Sequence, residues 1–275
     1  MKCQSQKQMR ALIHSGTRYG KRVLFLVLVL LVTDTVRGER TLPSPTDRIQ
    51  TENGVVEIYP VNHATFVMRW NGQTIFIDPV GPAERFQSFA RPDLILITDI
   101  HGDHHQQGTV SMVRQESTIT LAPQAVIDKV PTSLQSAYRV LGNGETISIN
   151  GMRVEAIPMY NLTKERLRFH SKGRGNGYVV SLGGKRVYIS GDTEDVPEMR
   201  SLKNIDVAFL CMNLPYTMTV EQAASAAVEF KPGIVFPYHY RGTKGFSDIN
   251  HFKKLVQAET KEIEVRIREW YAPSE

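Results

Sequence analysis

The stretch Asp93-Leu-Ile-Leu-Ile-Thr-Asp-Ile-His-Gly-Asp-His-His105 joins an unbroken apolar run to a cluster of acidic and histidine side chains. The apolar part is typical of a β-strand that is covered on both faces of its sheet. Open α/β sheets bind their ligands at the carboxyl ends of the strands, so the residues that follow are candidates for a metal site. The candidate metal ligands in this loop are Asp99, His101, Asp103 and His104.

Two later segments repeat the pattern of a strand followed by a metal-capable side chain. Val187-Tyr-Ile-Ser-Gly-Asp192 ends in an aspartate, and Ile234-Val-Phe-Pro-Tyr-His239 ends in a histidine. Taken singly, such an aspartate is usually a turn or cap residue and such a histidine is usually packed in the core. Three loops of this kind together predict one shared site for one or two divalent ions.

The rest of the chain predicts a layered α/β protein with mixed sheets, because early hairpins give way to alternating helices and strands. Asn71-Gly72 is a hairpin turn, and Thr219–Gln222 opens like a capping box into an Ala-rich helix that ends near Phe230. A second amphipathic helix is predicted from Ser247 to about Gln257. The other predicted strands are Val55–Tyr59, Thr65–Trp70, Thr74–Asp78, Thr118–Leu121, Thr146–Ile149, Arg153–Ile157, Gly177–Leu182 and Arg186–Ser190.

The positive charge of the chain belongs to its leader. The 275 residues have a formal net charge of +5, but residues 1–38 hold seven of the 33 basic side chains and one of the 28 acidic ones. The remaining 26 basic and 27 acidic groups leave residues 39–275 at −1. Residues 39–275 therefore have no excess positive charge that would indicate a nucleic acid as a partner, and a small-molecule substrate is expected instead.

Residues 1–38 have the pattern of a secretion signal. The basic stretch ending at Lys21-Arg22 precedes the apolar run Val23–Val32, which is shorter than the roughly 20 residues of a membrane span. We expect either a signal peptide or an uncleaved signal anchor. The protein is therefore predicted to be exported to the periplasm or beyond the cell, with membrane contact only through an uncleaved leader.

The domain boundaries follow from composition. Residues 39–52 are polar with two prolines and are predicted to form a tether, and residues 53–275 are predicted to form one domain. Cys3 lies in the leader, so Cys211 is the single cysteine of the mature chain and cannot form an intramolecular disulfide. Because it ends an apolar run, Cys211 is expected to be a buried core thiol.

The Asp99–His104 segment resembles the His-x-His-x-Asp-His signature of the metallo-β-lactamase-fold hydrolases. The motifs around it resemble the L-ascorbate-6-phosphate lactonase-like branch, whose relatives include the phospholipase D that hydrolyses N-acylphosphatidylethanolamine. The resemblance covers roughly residues 54–270 and implies a four-layer αββα sandwich. Its other motifs are Asn62-His63-Ala64-Thr65, Ile77-Asp78-Pro79, Gly191-Asp192-Thr193 and Pro237-Tyr238-His239.

The resemblance also implies a ligand set. Asp103, His104 and His239 would hold one metal ion. Asp192 would bridge to a second ion, which His101 would also bind. Asp78 matches the buried aspartate that supports the metal loop through hydrogen bonds in this family.

Two departures from the family pattern concern the second ion. Asp99 stands where the signature has its first histidine, and Asn161 stands where a third-motif histidine is expected. The second site would then be rich in oxygen ligands, which suit Mn²⁺ better than Zn²⁺. We expect two metals, Zn or Mn, with the second weaker or not zinc. The alternative is that His170 replaces the missing ligand.

These ligands predict an enzyme that uses a metal-bound hydroxide to hydrolyse an ester, lactone or related bond. Asp103 would orient the nucleophile, and His170 or Tyr238 would donate a proton. Lys172 and Arg174, in a glycine-rich loop, are candidates for holding an anionic group. The alternatives are a phosphodiesterase or phospholipase D-type hydrolase, and a non-catalytic metal-binding protein of the same fold. A nuclease or a true β-lactamase fits less well.

Overall fold

The computed structural model describes residues 42–271, so the predicted leader lies outside the described residues. Within 42–271, no helix is both long enough and apolar enough to cross a membrane. The helices are α1 (Gln107–Val113), α2 (Gln124–Ile127), α3 (Thr132–Gln135), α4 (Pro197–Arg200), α5 (Val220–Phe230) and α6 (Ile249–Glu259), with a 3₁₀ turn at Ala83–Phe86. The strands are β1 (Asp47–Thr51), β2 (Gly54–Asn62), β3 (Thr65–Trp70), β4 (Gln73–Ile77), β5 (Leu94–Leu96), β6 (Ile119–Ala122), β7 (Arg139–Val140), β8 (Thr146–Ile149), β9 (Met152–Met159), β10 (Gly175–Leu182), β11 (Lys185–Ile189), β12 (Val207–Cys211), β13 (Ile234–Tyr238), β14 (Arg241–Gly242), β15 (Gly245–Phe246) and β16 (Glu264–Val265).

The first sheet contains β1 to β7 in chain order. Strands β1 to β4 are joined as antiparallel hairpins, whereas β4 to β7 run parallel. The predicted turn at Asn71-Gly72 connects β3 to β4, and both residues have the positive φ that a two-residue hairpin turn requires. The parallel half places the carboxyl ends of β4 and β5 side by side, which makes the segments that follow these strands neighbours.

The second sheet has the order β16-β13-β12-β11-β10-β9-β8. Strands β8 to β11 are antiparallel, and β11, β12, β13 and β16 are parallel. Both sheets are therefore mixed, as predicted. The parallel half again gathers several carboxyl ends at one edge, here those of β11, β12 and β13.

The two sheets face each other, and helices cover their outer faces. The rings of Phe66 in β3 and Phe209 in β12 lie 4.5 Å apart between the sheets. On the outer face of the first sheet Phe76 packs 5.0 Å from Phe86, in a cluster that also includes residues of α1 and α2. On the outer face of the second sheet the ring of Phe230 in α5 packs against that of Tyr188. This arrangement confirms the four-layer αββα sandwich.

The predicted tether is wrong over its second half. Residues 47–51 form β1, which pairs antiparallel with β2 at the edge of the first sheet. Ile49 is buried in the core, and the buried carboxylate of Asp47 accepts hydrogen bonds from Arg266 and Arg268. The sequence pattern did not indicate a strand here, because Ile49 is a single apolar residue between polar ones. The residues that pair with Asp47 lie at the far end of the sequence, so no local pattern could reveal them.

The remaining local predictions agree closely with the structure. Each predicted strand is present, with ends that differ by no more than three residues. The capping box of Thr219 and Gln222 opens α5, and the side chain of Asp248 caps α6. Cys211 is a free, fully buried thiol. Helix α1, directly after the His-rich loop, was not predicted.

Candidate metal centre

The candidate ligands lie in loops at the carboxyl ends of parallel strands from both sheets. The loop of residues 98–105 follows β5, Asp192 follows β11, and His239 follows β13 directly. His239, together with Asp78 and His63, has a positive φ of 43° to 51°. Residues other than glycine rarely adopt a positive φ, which costs about 1–3 kcal/mol at each position. Residues in this backbone conformation concentrate at functional sites.

Asp78 supports the metal loop, as the family resemblance implied. Its Oδ1 accepts the backbone N–H of Thr98 at 2.7 Å, and its Oδ2 accepts the Thr98 hydroxyl at 2.6 Å. Nδ1 of His104 lies 2.8 Å from the same Oδ2. All three residues are buried. This bond to Nδ1 turns Nε2 of His104 towards the centre, the orientation that a metal-binding histidine requires.

The first group of ligand candidates is His104, Asp192 and His239, whose ligand atoms lie within 4.8 Å of one another. Nε2 of His104 lies 3.4 Å from Oδ2 of Asp192, and Nε2 of His239 lies 3.2 Å from Oδ1. Asp103 joins this group, with a carboxylate oxygen 3.5 Å from Nε2 of His239. The structure therefore brings together the four side chains that were expected to hold the first ion.

The second group is Asp99, His101 and His170. Nε2 of His170 lies 3.7 Å from Oδ2 of Asp99 and 3.5 Å from Oδ2 of Asp192. Asp192 thus lies between the two groups, which is the position that a bridging carboxylate needs.

Asn161 lies against Nδ1 of His170, and its Oδ1 is buried without a hydrogen-bond partner among the described residues. Its Nδ2 donates to the carbonyls of Arg166 and Tyr216, at 2.9 and 2.7 Å, and lies 3.2 Å from Nδ1 of His170. Nδ1 of His170 also lies 3.2 Å from the Tyr216 carbonyl, so it carries the proton and leaves the lone pair on Nε2. The ligand-like position is occupied by His170, which was the alternative in the sequence analysis.

Unpartnered buried atoms test whether metal ions fit this centre. Nε2 of His104, Nε2 of His170 and Oδ1 of Asp192 are buried without a hydrogen-bond partner among the described residues. Leaving such an atom unpaired costs about 1–3 kcal/mol. Imidazole nitrogens and carboxylate oxygens are the ligands of Zn²⁺ and Mn²⁺, so the donor set fits divalent metal ions in both groups.

The electrostatics of the first group are those of carboxylates and imidazoles held close together. Burial disfavours the charged form of each carboxylate and imidazole in this group. Even so, Asp192 raises the pKa of His239 to about 9 and, with Asp103, holds the pKa of His104 well above its usual range. The same imidazoles hold the pKa of Asp192 far below its usual range. The group therefore has the negative charge that attracts a cation.

The expected proton donor Tyr238 does not face the centre. Its side chain is fully buried between the sheets, against Phe66 and Trp270, and its hydroxyl accepts the backbone N–H of Gly191 at 3.0 Å. Tyr238 is the last residue of β13 and points into the core, whereas the next residue, His239, points to the centre. The prediction for Tyr238 is wrong because residues on alternate sides of a strand were not distinguished.

The glycine-rich loop does not present free cations for an anionic ligand. Nζ of Lys172 lies 2.9 Å from a carboxylate oxygen of Glu198 and above the ring of Tyr160. Arg174 donates to both carboxylate oxygens of Asp99, each at 3.3 Å. Both cations expected to hold an anion are thus paired with acidic groups of the protein.

Sequence reasoning missed Asn213 and Glu194. Oδ1 of Asn213 accepts the Thr217 hydroxyl, which turns Nδ2 towards Oδ2 of Asp192 at 3.3 Å. The carboxylate of Glu194 is fully buried and accepts hydrogen bonds from the loop of residues 162–166 that leads to His170. Single Asn and Glu residues carry no spacing signal, so only the tertiary contacts identify them.

His63 and Arg241 lie beside the first group, and the ligand atoms of His63, Asp103 and His239 also lie within 4.8 Å of one another. Nδ1 of His63 lies 3.1 Å from Nδ1 of His239, and Arg241 donates to Nε2 of His63 while its guanidinium lies over the ring of Tyr271. Burial, with His239 and Arg241 nearby, lowers the pKa of His63 to about 4. His63 is therefore neutral at physiological pH and receives hydrogen bonds from Arg241.

Only one side of the centre is open. The side chains of His101 and Asp103 are 42% and 44% exposed, whereas those of the other ligand candidates are almost fully buried. A substrate must therefore approach beside these two residues. Some of the segments that carry site residues also carry exposed apolar side chains. These exposed side chains are Leu162, Leu167, Leu214 and Phe246.

Known proteins resemble this chain in sequence and fold. Residues 57–239 match the beta-lactamase superfamily domain. A UPF0173 metal-dependent hydrolase from Pyrococcus abyssi is 28% identical over 214 residues, which cover 74% of this chain and 92% of the relative. One from Ligilactobacillus salivarius is 29% identical over 204 residues, covering 70% of this chain and 90% of the relative.

Two solved structures add to this likeness. That of a protein named as a metal-dependent hydrolase, from Parabacteroides distasonis, is 40% identical with a TM-score of 0.74, covering 82% of this chain and 98% of the other. Igni18, a metallohydrolase from Ignicoccus hospitalis, is 24% identical with a TM-score of 0.65, covering 78% of this chain and 95% of the other. At this level of identity the comparison shows a similar fold only. With the αββα fold, the family match and the His/Asp centre in place, the chain belongs to the metallo-β-lactamase superfamily and is a metal-dependent hydrolase.

Proposed function

We propose that this protein is an exported hydrolase that cleaves an ester or lactone bond of a small molecule at a two-metal centre. The observation that carries the proposal is the position of Asp192 between two groups of ligand candidates, with unpartnered buried atoms on both sides. Bound divalent ions supply an activated water and stabilise negative charge on the substrate oxygen. Zn²⁺ or Mn²⁺ suits both groups, since each combines two histidines with carboxylates.

Asp103 is the residue that we assign to the attacking water. Its carboxylate is partly exposed at the opening, and the histidines beside it hold its pKa below the usual range, so it is ionised and able to accept a hydrogen bond from the water. A water oriented in this way is positioned to attack the substrate carbonyl. Asp103 thus orients the nucleophile, as expected from the sequence.

Arg241 is the residue that we assign to the charge developing on the substrate. It is half-buried beside His63, held over the ring of Tyr271, and always protonated. A guanidinium fixed next to the centre stabilises an oxyanion without reorganising during the reaction. Tyr238, which lies in the core, has no part in this step.

The surroundings of the centre favour a neutral ester or lactone over a phosphodiester. Lys172 and Arg174 are already paired with Glu198 and Asp99, so they do not offer free charge to a phosphate. The exposed side chains of Leu162, Leu214 and Phe246, on segments that also carry site residues, offer apolar contacts instead. These features suit a substrate with an apolar part, in keeping with a lactonase-like branch of the superfamily.

The substrate assay uses the purified full-length chain after treatment with chelator and reloading with Zn²⁺ or Mn²⁺. The panel contains p-nitrophenyl butyrate, an aliphatic δ-lactone and bis-p-nitrophenyl phosphate. We expect metal-dependent hydrolysis of the butyrate or the lactone, abolished by His104→Ala and retained by His251→Ala, a histidine exposed on α6. Hydrolysis of the phosphodiester alone would replace this proposal with the phosphodiesterase alternative.

Export rests on residues 1–38 and has its own test. We expect the chain to accumulate outside the cytoplasm, either shortened to begin near Glu39 or anchored by the intact leader. Mass spectrometry of the chain from separated cell fractions distinguishes these forms. A full-length chain confined to the cytoplasmic fraction would contradict export.

A further inference from the structure

Asp99 is the acidic side chain of the second group, and its carboxylate is already occupied. Nε and a terminal nitrogen of Arg174 each donate to one carboxylate oxygen at 3.3 Å. Nδ1 of His101 lies 2.6 Å from Oδ2. Asp99 is fully buried, so water screens these contacts less than it would screen a surface ion pair. A metal ion approaching Asp99 meets a carboxylate whose charge is already balanced.

The first group differs in this respect. The ion pairs described for Asp103 and Asp192 are with histidines, which lose a proton when a metal binds. Arginine does not lose its proton at accessible pH. The positive charge beside Asp99 is therefore permanent, whereas the positive charge beside Asp192 is replaceable.

Arg174 is also held in place by its own loop. Its guanidinium donates to the carbonyl of Phe169 as well as to Asp99, and its backbone N–H donates to the carbonyl of Ser171. The next residue, Gly175, begins β10, where a side chain would collide with Met159 and with the Thr98 carbonyl. This close packing leaves Arg174 little freedom to turn away when an ion approaches.

His170 shows that the second group is nonetheless built to receive a ligand. Its ring is almost fully buried, and Nε2 points between Asp99 and Asp192 without a hydrogen-bond partner. The group therefore combines an unused imidazole nitrogen with a carboxylate that a fixed cation neutralises.

We propose that Arg174 competes with the second metal ion for Asp99, so that the chain binds one ion tightly at His104, Asp192 and His239 and a second ion weakly at His101 and His170. This inference rests on the two-metal centre of the proposed function and extends it. Arg174 thereby sets how many metal ions the centre binds, because the second ion binds only when its concentration is high.

The test measures metal binding, not hydrolysis. The metal-free full-length chain is titrated with Zn²⁺ and with Mn²⁺ by isothermal titration calorimetry, and bound metal is counted by elemental mass spectrometry after dialysis. Arg174→Gln removes the charge, and Arg174→Lys keeps it. Arg168→Gln removes an exposed arginine from the same loop and is the matched control.

We expect the unchanged chain to bind the second ion at least tenfold more weakly than the first. Arg174→Gln should tighten the second site by about tenfold, because a nearby unit charge is removed, while the first site keeps its affinity. Arg174→Lys and Arg168→Gln should behave like the unchanged chain. The first-site affinity also reports that each variant is folded.

Two results would overturn the inference. One is equal, tight binding of both ions by the unchanged chain. The other is a second site that Arg174→Gln leaves unchanged or weakens, which would make Arg174 a support that orients Asp99 as a ligand. If the metal titrations come out as expected but no ester or lactone is hydrolysed, the proposed function fails and the role of Arg174 stands.

Discussion

The two halves of the metal centre are built differently, although they share Asp192. In the first half, His104 is oriented by the buried Asp78, and its Nε2 makes no hydrogen bond among the described residues and lies 3.4 Å from Asp192. In the second half, His101 and Arg174 both contact Asp99. The other histidine of this half, His170, lies against the side chain of Asn161. The same fold therefore presents one preorganised group and one whose carboxylate is paired with an arginine.

The largest effect is expected from removing the residue that the two halves share. Asp192→Asn should lower metal content below one ion per chain and reduce hydrolysis by about a thousandfold, since several kcal/mol of charge stabilisation is lost. Asp128→Asn, on the exposed surface, is the control and should change neither quantity. Full activity of Asp192→Asn would mean that the two halves do not act together.

The second comparison separates His170 from Asn161. His170→Ala should remove the second ion and leave the first, because it deletes a buried imidazole nitrogen that has no hydrogen-bond partner among the described residues. Asn161→Ala should retain the second ion but weaken it by about 10–100-fold, the usual effect of losing a group that orients a ligand. Metal counting and titration measure both variants. Loss of the second ion in Asn161→Ala with retention in His170→Ala would make Asn161 the ligand.

The metal-free chain should be most stable near pH 6.5. His63 has its pKa lowered to about 4, so stability rises with pH from about 4 to the unfolded value of about 6.5. His239 has its pKa raised to about 9, so its contribution is complete below about 6.5 and is lost as pH rises through 9. Urea unfolding of chelator-treated chain between pH 5 and 9 measures this curve.

A bound metal ion should change the alkaline side of that curve. The ion takes the place of the proton on His239, so metal-loaded chain should not lose stability between pH 6.5 and 9. A metal-free chain whose stability keeps rising across this range would show that Asp192 and His239 are not held as the structure has them.

The smallest effect is expected at Tyr238, which the sequence suggested as a catalytic group. Tyr238→Phe removes the hydroxyl that accepts the Gly191 N–H between the sheets, so unfolding free energy should fall by about 1 kcal/mol. Metal content and hydrolysis rate should stay within a factor of two to three of the unchanged chain. A loss of hydrolysis comparable to that of Asp192→Asn would restore Tyr238 to the centre.

Sequence reasoning predicted the strands and hairpins well because their signals are local. The apolar run before Asp99 and the Asn71-Gly72 turn are contiguous patterns with a direct structural cause. The strand at Asp47–Thr51 escaped, because its stabilising contacts with Arg266 and Arg268 join opposite ends of the sequence. Composition alone made that segment look like a tether.

The sequence by itself determined a layered α/β fold with mixed sheets and a candidate His/Asp metal centre at Asp99–His104, Asp192 and His239, since strand periodicity and loop position are local properties; the αββα order of layers was implied by the family resemblance. Only the tertiary structure decided that His170 takes the ligand-like position, that Asn161 and Asn213 orient their neighbours, and that Arg174 neutralises Asp99. It also decided that Tyr238 belongs to the core. The physical reason is that ligand geometry and charge balance depend on distances between side chains from separate loops, and those distances exist only once the two sheets have packed together.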